Sequence, residues 1–341
     1  MVSSGCRCKP SAGDEPRRPA QVGHGLGSRG HETQPRRGLT VAERTHGALK
    51  GRVRALFILG ENPMLSDPNL HHVEQALRRL DFLAVQDIFL NETGALADVV
   101  LPGASFAEKR GTFTNTERRV QLVRPALDPP GEARQDCWLL TELARRMGAP
   151  WSYSGPAEIF DEMARLTPSY AGMSHARLES GGLQWPCPSP DHPGTPILHS
   201  ERFTRGKGLF VAVDYLPPAE TPDEAFPYVL STGRALFHWH GGTHSHRSPG
   251  LDSLAPVAEV EIHPQDGAEL GIGEGERVRV RSRRGEIIAR ARLTRRSPPG
   301  TVFMTFHYAE AAANLLTVDA VDPVAKIPEY KVAAVALEAV V

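Results

Sequence analysis

The apolar residues fall into stretches of two different periods. Residues 53–59 (VRALFIL) form an apolar run of strand length, stopped by Gly60-Glu61-Asn62-Pro63. Asp67 followed by Pro68 reads as an N-cap with proline in the first helical turn. Leu70, Val73, Leu77 and Leu80 then recur at helical spacing. Further strands are predicted at 82–85, ending at Gln86-Asp87, and at 98–101, ending at Pro102. Nearly all-apolar strands separated by a helix predict a parallel sheet buried on both faces. Asp136 is placed to cap another helix, with Trp138, Leu139, Leu143 and Met147 on its inner face and Gly148 as its stop. Residues 156–166 read as a helix with Ile159, Phe160 and Met163 inward, and the Pro- and Gly-dense stretch after it reads as irregular.

Past Tyr228 the period shortens. Strands are predicted at 228–231, 259–262, 276–282, 286–293 and 301–306, with a short helix at 264–270. Residues 276–282 alternate strictly: Val278 and Val280 lie on one face, Arg277, Arg279 and Arg281 on the other. Short strands joined by tight turns predict a small barrel whose arginine stripe is its wet outer face. The two periods together predict an α/β chain: a parallel-sheet domain, then a C-terminal β-barrel.

Composition narrows the function classes. The 341 residues are 40% hydrophobic and 23% charged, enough for about two globular domains. With 39 Lys/Arg against 40 Asp/Glu the net charge is −1, so nothing global draws the chain to nucleic acid or an anionic membrane. No apolar run is long enough for a membrane span, and no signal-type segment opens the sequence. Four cysteines (Cys6, Cys8, Cys137 and Cys187) are too scattered for a disulfide framework, and a cytoplasmic setting is expected. Residues 1–37, with seven Lys/Arg against three Asp/Glu and almost no large apolar residue, are expected to be a disordered tail.

Three polar clusters carry candidate chemistry. Gly60, Glu61, Asn62 and Ser66 lie just past a strand and before a helix, where open α/β sheets bind ligands, and Asp87 follows the next strand on the same edge. A plain turn remains the alternative. Thr232-Gly233-Arg234, His238, His240, Thr243, His244, His246 and Arg247 form the densest cluster. An arginine fork with imidazole N–H groups suits a pyrophosphate. His238 and His240 share a face in an extended segment, which suits zinc, but the arginines would repel a cation and no carboxylate ligand is obvious nearby. An incidental loop is the third reading. Near the end, Phe306-His307-Tyr308, Asn314, Asp322 and Tyr330-Lys331 are polar or aromatic groups among apolar neighbours. Gly271-Ile272-Gly273-Glu274-Gly275 follows a helix and precedes a strand, the reverse of a dinucleotide fingerprint, and reads as a turn. Cys6-x-Cys8 lacks the spacing of a zinc or iron–sulfur set.

In order along the chain, GENPMLSDPNL (60–70), VQDIFLNETGALADVVLP (85–102), GTFTNTERRVQ (111–121), GEARQDCWLLTELARRMG (131–148), LSTGRALFHWHGGTHSHRSPGL (230–251), VFMTFHYAEAAANLLT (302–317) and DPVAKIPEYKV (322–332) resemble the formate dehydrogenase catalytic subunits of the molybdopterin oxidoreductase family. The resemblance runs from about residue 38 to the end. It implies that 38–150 is part of a Rossmann-like domain holding a molybdopterin guanine dinucleotide, with Gly60, Glu61, Asn62, Ser66, Gln86, Asp87 and Asp136 at guanosine and phosphate positions. It implies that 151–225 belongs to the domain around the iron–sulfur cluster, and that 226–341 is a double-psi barrel closing over both pterins. There the matching positions are Thr232, Gly233, Arg234, His238, His240, Phe306, His307, Asn314, Tyr330 and Lys331. His244 and His246 stand where the family usually has Met and Arg. The four-cysteine 4Fe-4S motif, the Cys or selenocysteine ligand to molybdenum or tungsten, and the catalytic His and Arg have no counterpart, so no residue of this chain is expected to be catalytic or a metal ligand. The expectation is the cofactor-binding C-terminal portion of a formate dehydrogenase, inactive alone and partnered by the missing half or by electron-transfer subunits. The alternative is a non-catalytic dinucleotide-binding module, or a subunit of a split formate or nitrate oxidoreductase.

Overall fold

The structure is a computed structural model that describes residues 38–203 and 205–340; the expected tail at 1–37 lies outside them. By internal contacts the chain divides into two compact units, one holding residues 38–100 and 213–341, the other 101–212.

The first unit opens with α1 (Val41–Leu49), where Thr40 and Glu43 form a reciprocal capping box. Strand β1 (Ala55–Leu59) leads through Gly60 into the single turn α2 (Pro63–Ser66), then α3 (Leu70–Arg78) and β2 (Phe82–Asp87). Asp67 is therefore not the cap of one long helix. Pro63 starts a helix earlier, Asp67 ends it, and Asn69 enters α3 in a left-handed conformation with no side-chain cap. β1 and β2 pair in parallel, Ala55 opposite Phe82 and Leu59 opposite Gln86. The sheet order is β1-β2-β3, with β3 at Val99–Pro102, and the boundary between the units falls inside β3. Val73 and Leu77 of α3 pack on Leu83 and Val85 of β2. Only β2, the central strand, has the expected two-sided burial. Phe57, Leu59, Val99 and Val100 are exposed.

In the second unit β4 (Gly111–Thr114) and β5 (Arg119–Val123) form an antiparallel pair, followed by α4 (Asp136–Arg146), α5 (Pro156–Leu166), α6 (His175–Leu178) and β6 (Leu183–Gln184) on the far side of β5. Gln135, not Asp136, is the N-cap of α4, while Asp136 sits in its first turn and accepts 2.5 Å from Lys109 Nζ. The inner face expected for α4 is reversed. Trp138, Leu143 and Met147 are exposed, and Thr141 is the buried residue. Val120, Phe160, Ala164, Met173 and Leu178 form this unit's core.

Returning to the first unit, β7 (Tyr228–Gly233), the single turn α7 (Pro249–Asp252), β8 (Glu259–Ile262), α8 (Pro264–Leu270), β9 (Arg277–Arg281), β10 (Glu286–Leu293), β11 (Thr301–Thr305) and β12 (Ala333–Ala339) follow in sequence. The six strands close as β10-β8-β11-β7-β12-β9. β7 runs parallel to β11, β8 runs parallel to β10, and the other pairs are antiparallel. The alternation in β9 and β10 puts Val278, Val280, Ile287, Ala289 and Ala291 inside with Leu230, Val260, Ile262, Val302 and Met304. The arginines of β9 face outward, where Arg279 and Arg281 reach Glu338. Gly271 ends α8 and Gly275 turns the chain into β9, so that glycine cluster is a turn. No helix among the described residues is long and apolar enough to cross a membrane.

Candidate functional site

The loop that leaves β1 is built from its own polar groups. Gly60 takes a positive φ of 63°, favourable only without a Cβ, and its N–H donates to the Gln86 carbonyl at the end of β2. Asn62 is buried. Its Nδ2 donates to Glu92 at 2.7 Å, and its Oδ1 accepts from the Thr93 hydroxyl at 2.7 Å and backbone N–H at 3.2 Å. Asp87 accepts from Asn91 Nδ2 at 2.8 Å and from the Ile88 N–H at 2.7 Å. Gln86 is buried beside it.

Barrel residues grip the same loop. Asn314 Nδ2 donates to the Leu65 carbonyl at 2.9 Å and to that of Ser66 at 3.3 Å, while the Tyr330 hydroxyl donates to the Ser66 carbonyl at 3.0 Å. Ser66 turns its hydroxyl to Asp67 at 3.0 Å. Burial, helped by the nearby Glu61 carboxylate, pushes the Asp67 carboxyl up to about 6 despite the Ser66 hydrogen bond. Burial also raises the Tyr330 phenol.

At the end of β7, Lys331 Nζ donates 2.7 Å to the Thr232 carbonyl and stands 5.0 Å from the centre of the Phe306 ring. Phe306 meets Tyr330 edge-on at 5.9 Å. The Phe303 ring packs onto Gly233, where a Cβ would stand 2.6 Å from it and push the ring aside. Arg234 is exposed and, among the described residues, has no hydrogen-bonded or ion-paired acceptor. Burial and the Arg234 charge together lower the pKa of both Lys331 and His240, with Glu61 opposing at His240. An unpaired guanidinium whose field reaches an ammonium and an imidazole is a set of donors suited to an anion. The chemistry fits the phosphates of a dinucleotide.

The structure therefore brings Asn62, Ser66, Asn314 and Tyr330 together, and links Thr232, Gly233, Arg234, His240, Phe306 and Lys331 at the end of β7. Asp136 belongs to the other unit. His238 and His307 belong to a second group of side chains. They stack with His246: ring centres lie 4.0 Å apart for His238 and His246, and 4.5 Å apart for His238 and His307. One nitrogen from each ring lies within 4.8 Å of the other two. His240 and His244 are not in this group, and His244 packs edge-on against Phe89 instead. Two things here escape a local reading of the sequence. His307 joins from 61 residues away, and Asp252, six residues after His246, binds it at 2.7 Å. A carboxylate is therefore at hand, contrary to expectation. Burial, with its two imidazole neighbours, holds His307 down to about 3.

A family described as Molybdopterin oxidoreductase matches residues 19–146, and one described as Molydopterin dinucleotide binding domain matches 228–334. The chain is 49% identical to the F420-dependent formate dehydrogenase 1 subunit alpha of Methanococcus maripaludis, over 84% of this chain and 43% of that protein. It is 48% identical to the F420-dependent formate dehydrogenase subunit alpha of Methanocaldococcus jannaschii, over 90% and 46%. The assimilatory nitrate reductase catalytic subunit of Bacillus subtilis is 37% identical, over 88% and 44%. The chain thus spans less than half the length of these curated relatives. The fold is like that of acetylene hydratase from Pelobacter acetylenicus, with a TM-score of 0.69 at 20% identity over 87% of this chain and 46% of that one. Two family matches in order along the chain, with relatives near 50% identity, place this protein in the molybdopterin oxidoreductase family, its second half a molybdopterin dinucleotide binding domain.

Proposed function

We propose that this chain is the cofactor-holding C-terminal portion of a molybdopterin-dependent formate dehydrogenase. In this reading Gly60, Glu61, Asn62, Ser66, Gln86 and Asp87 meet the guanosine and phosphates. Thr232, Gly233, Arg234, His238, His240, Phe306, His307, Asn314, Tyr330 and Lys331 line the barrel side. The functional segments are then 38–150, 151–225 and 226–341, the last a double-psi barrel, in a protein of the cytoplasm. The observation that carries the reading is Arg234, unpaired among the described residues, whose charge acts on both Lys331 and His240.

The chain's own residues bind and orient. Arg234 and Lys331 neutralise phosphate charge. Asn314 and Tyr330 hold the Leu65–Ser66 backbone so that the loop after β1 keeps its shape. Bound there, the cofactor would supply the two-electron chemistry that converts formate to CO2. Cys137 and Cys187 are the described cysteines, and no 4Fe-4S ligand set stands among the described residues. Catalysis in this reading needs a partner carrying the cluster and the molybdenum or tungsten ligand. The nitrate reductases among the relatives supply the second reading, a cofactor-binding subunit of a nitrate-reducing oxidoreductase, at lower identity.

The test is to purify the chain from a host that makes the dinucleotide and to measure GMP released by acid hydrolysis. The expected result is GMP in the protein and no formate oxidation by the chain alone. Protein without GMP, or robust turnover by the chain alone, would contradict the proposal.

A further inference from the structure

We propose that His238, His246 and His307 form a binding site for one borderline divalent transition ion, with zinc as the probe. The hydrogen bonds settle where the lone pairs lie. The Asp252 carboxylate can only accept, so His246 Nδ1 carries the proton it donates at 2.7 Å. In the neutral ring His246 Nε2 is then a lone pair, and it accepts from His307 Nδ1 at 2.9 Å. That leaves His307 Nε2 as a bare lone pair, buried in a residue 1% exposed, with no hydrogen-bond partner. A buried acceptor left in this way is destabilising, so a site that tolerates it invites an occupant. The Ala255 carbonyl fixes His238 Nε2 as the donor at 3.2 Å, which leaves its Nδ1 accepting from the Ser245 hydroxyl at 3.1 Å.

Spacing and access suit an ion. With metal–nitrogen bonds of about 2.0–2.1 Å, two ligand nitrogens of a tetrahedral site stand roughly 3.3 Å apart. The 2.9 Å contact between His246 Nε2 and His307 Nδ1 is a hydrogen bond that an ion would replace; one ligand nitrogen from each ring lies within 4.8 Å of the other two, and ring rotations bring them to that spacing. Asp252 is the carboxylate partner that orients a ligating histidine from its outer nitrogen. His246 and His307 open onto a cavity of about 330 Å³ lined also by Glu92, Asp252 and Glu310, an acidic entrance that attracts cations, with Arg247 as the opposing charge. Three protein ligands leave a coordination position, and this cavity has room for its water. Gly242 keeps the site assembled: it sits at φ +70°, and a Cβ there would stand 2.2 Å from the His307 carbonyl and 2.8 Å from the His246 ring. The ion goes beyond the dinucleotide reading, although two of its ligands also stand in that proposed set.

The experiment uses the full chain with its purification tag removed, stripped by chelator and free of nucleotide. Zinc is titrated calorimetrically and cobalt(II) by visible absorption. The expected result is one equivalent per chain, tetrahedral cobalt bands, and a raised melting temperature with zinc. His246→Gln abolishes stoichiometric binding, Asp252→Asn weakens it about 10–100-fold, and His240→Asn and His199→Asn change nothing. Circular dichroism of the variants confirms folding. Failure of the wild-type chain to bind an equivalent overturns the proposal, as does undiminished binding in His246→Gln. Loss of binding in His240→Asn places the metal elsewhere and also overturns it. GMP content does not enter these readouts, so this inference and the dinucleotide proposal fail separately.

Discussion

The barrel and the three-stranded sheet are both built from apolar strands, yet they treat them differently. In the barrel every strand has two neighbours, and the alternating positions of β9 and β10 bury Val278, Val280, Ile287, Ala289 and Ala291 to within 6% of full burial. In the sheet only β2 has two neighbours, and β1 leaves Phe57 and Leu59 more than a third exposed although all five of its residues are apolar. Closure makes the barrel's pattern self-sufficient. The edge strands of the sheet, and the Trp138 face of α4 in the other unit, keep an apolar pattern without the covering it is written for. Such faces have the character of interaction surfaces.

That contrast can be tested by substitution, beginning with the largest expected effect. Leu230→Ala, at a fully buried position of the barrel, should cost about 3–5 kcal/mol by denaturant titration. Phe57→Ala should cost far less, and an equal loss would dissolve the distinction. Next comes the ion pair that ties Glu220 to the barrel. Arg284 donates to both Glu220 oxygens at 2.6 and 2.7 Å and to the Leu316 carbonyl, with both side chains little exposed. Arg284→Ala should cost about 1.5–3 kcal/mol, the loss of charged hydrogen bonds, since Arg283 at 3.5 Å and the Ala334 N–H still hold the carboxylate. Burial works against the charged Glu220, but Arg284 and the Ala334 N–H outweigh it and hold its pKa down. Its contribution should therefore be present at neutral pH and fade as pH falls through the lowered value, as unfolding at pH 7 and pH 3 will show.

Asp67 has the opposite sign. Its folded pKa of about 6 lies above the ordinary carboxylate value, so the folded chain holds the proton more tightly. Stability should decline between about pH 4 and pH 6 and level off above. Asp67→Asn should gain about 2 kcal/mol at pH 7.5 and nothing at pH 4 in paired melts. A smaller loss, about 1 kcal/mol, is expected for Tyr330→Phe, which removes the hydroxyl holding the Ser66 carbonyl. Met147→Lys on the exposed face of α4 should shift stability by less than about 0.5 kcal/mol, a change read in the same assay.

Much of this organisation is legible in the sequence wherever one element decides its own form. The limits 259–262, 264–270 and 286–293 match the structure, because strict alternation and a Pro–Gly frame leave little choice. β4, β5 and β12 are not apparent beforehand. β12 reads AAVALEA, small residues without turn signals, and becomes a strand only by filling the gap between β7 and β9. The inner face of α4 is misjudged because helical periodicity identifies an apolar stripe and not what covers it. At the site, the Gly60 loop is legible from its place after a strand. The grip of Asn314 and Tyr330 on the Leu65–Ser66 carbonyls spans about 250 residues and leaves no local trace. The imidazole group is half visible: His238 and His246 stand in one loop, while His307 arrives through the parallel pairing of β7 with β11.

The central claim is that the Arg234 guanidinium at the end of β7 receives the phosphates of a guanosine dinucleotide. Calorimetric titration of the nucleotide-free chain with GDP, repeated on Arg234→Ala, tests it most directly. A charge-assisted phosphate contact is worth about 1.5–3 kcal/mol, so the account predicts saturable binding by the wild type that weakens at least tenfold in the variant. Equal binding by both proteins, or none by the wild type, would contradict it.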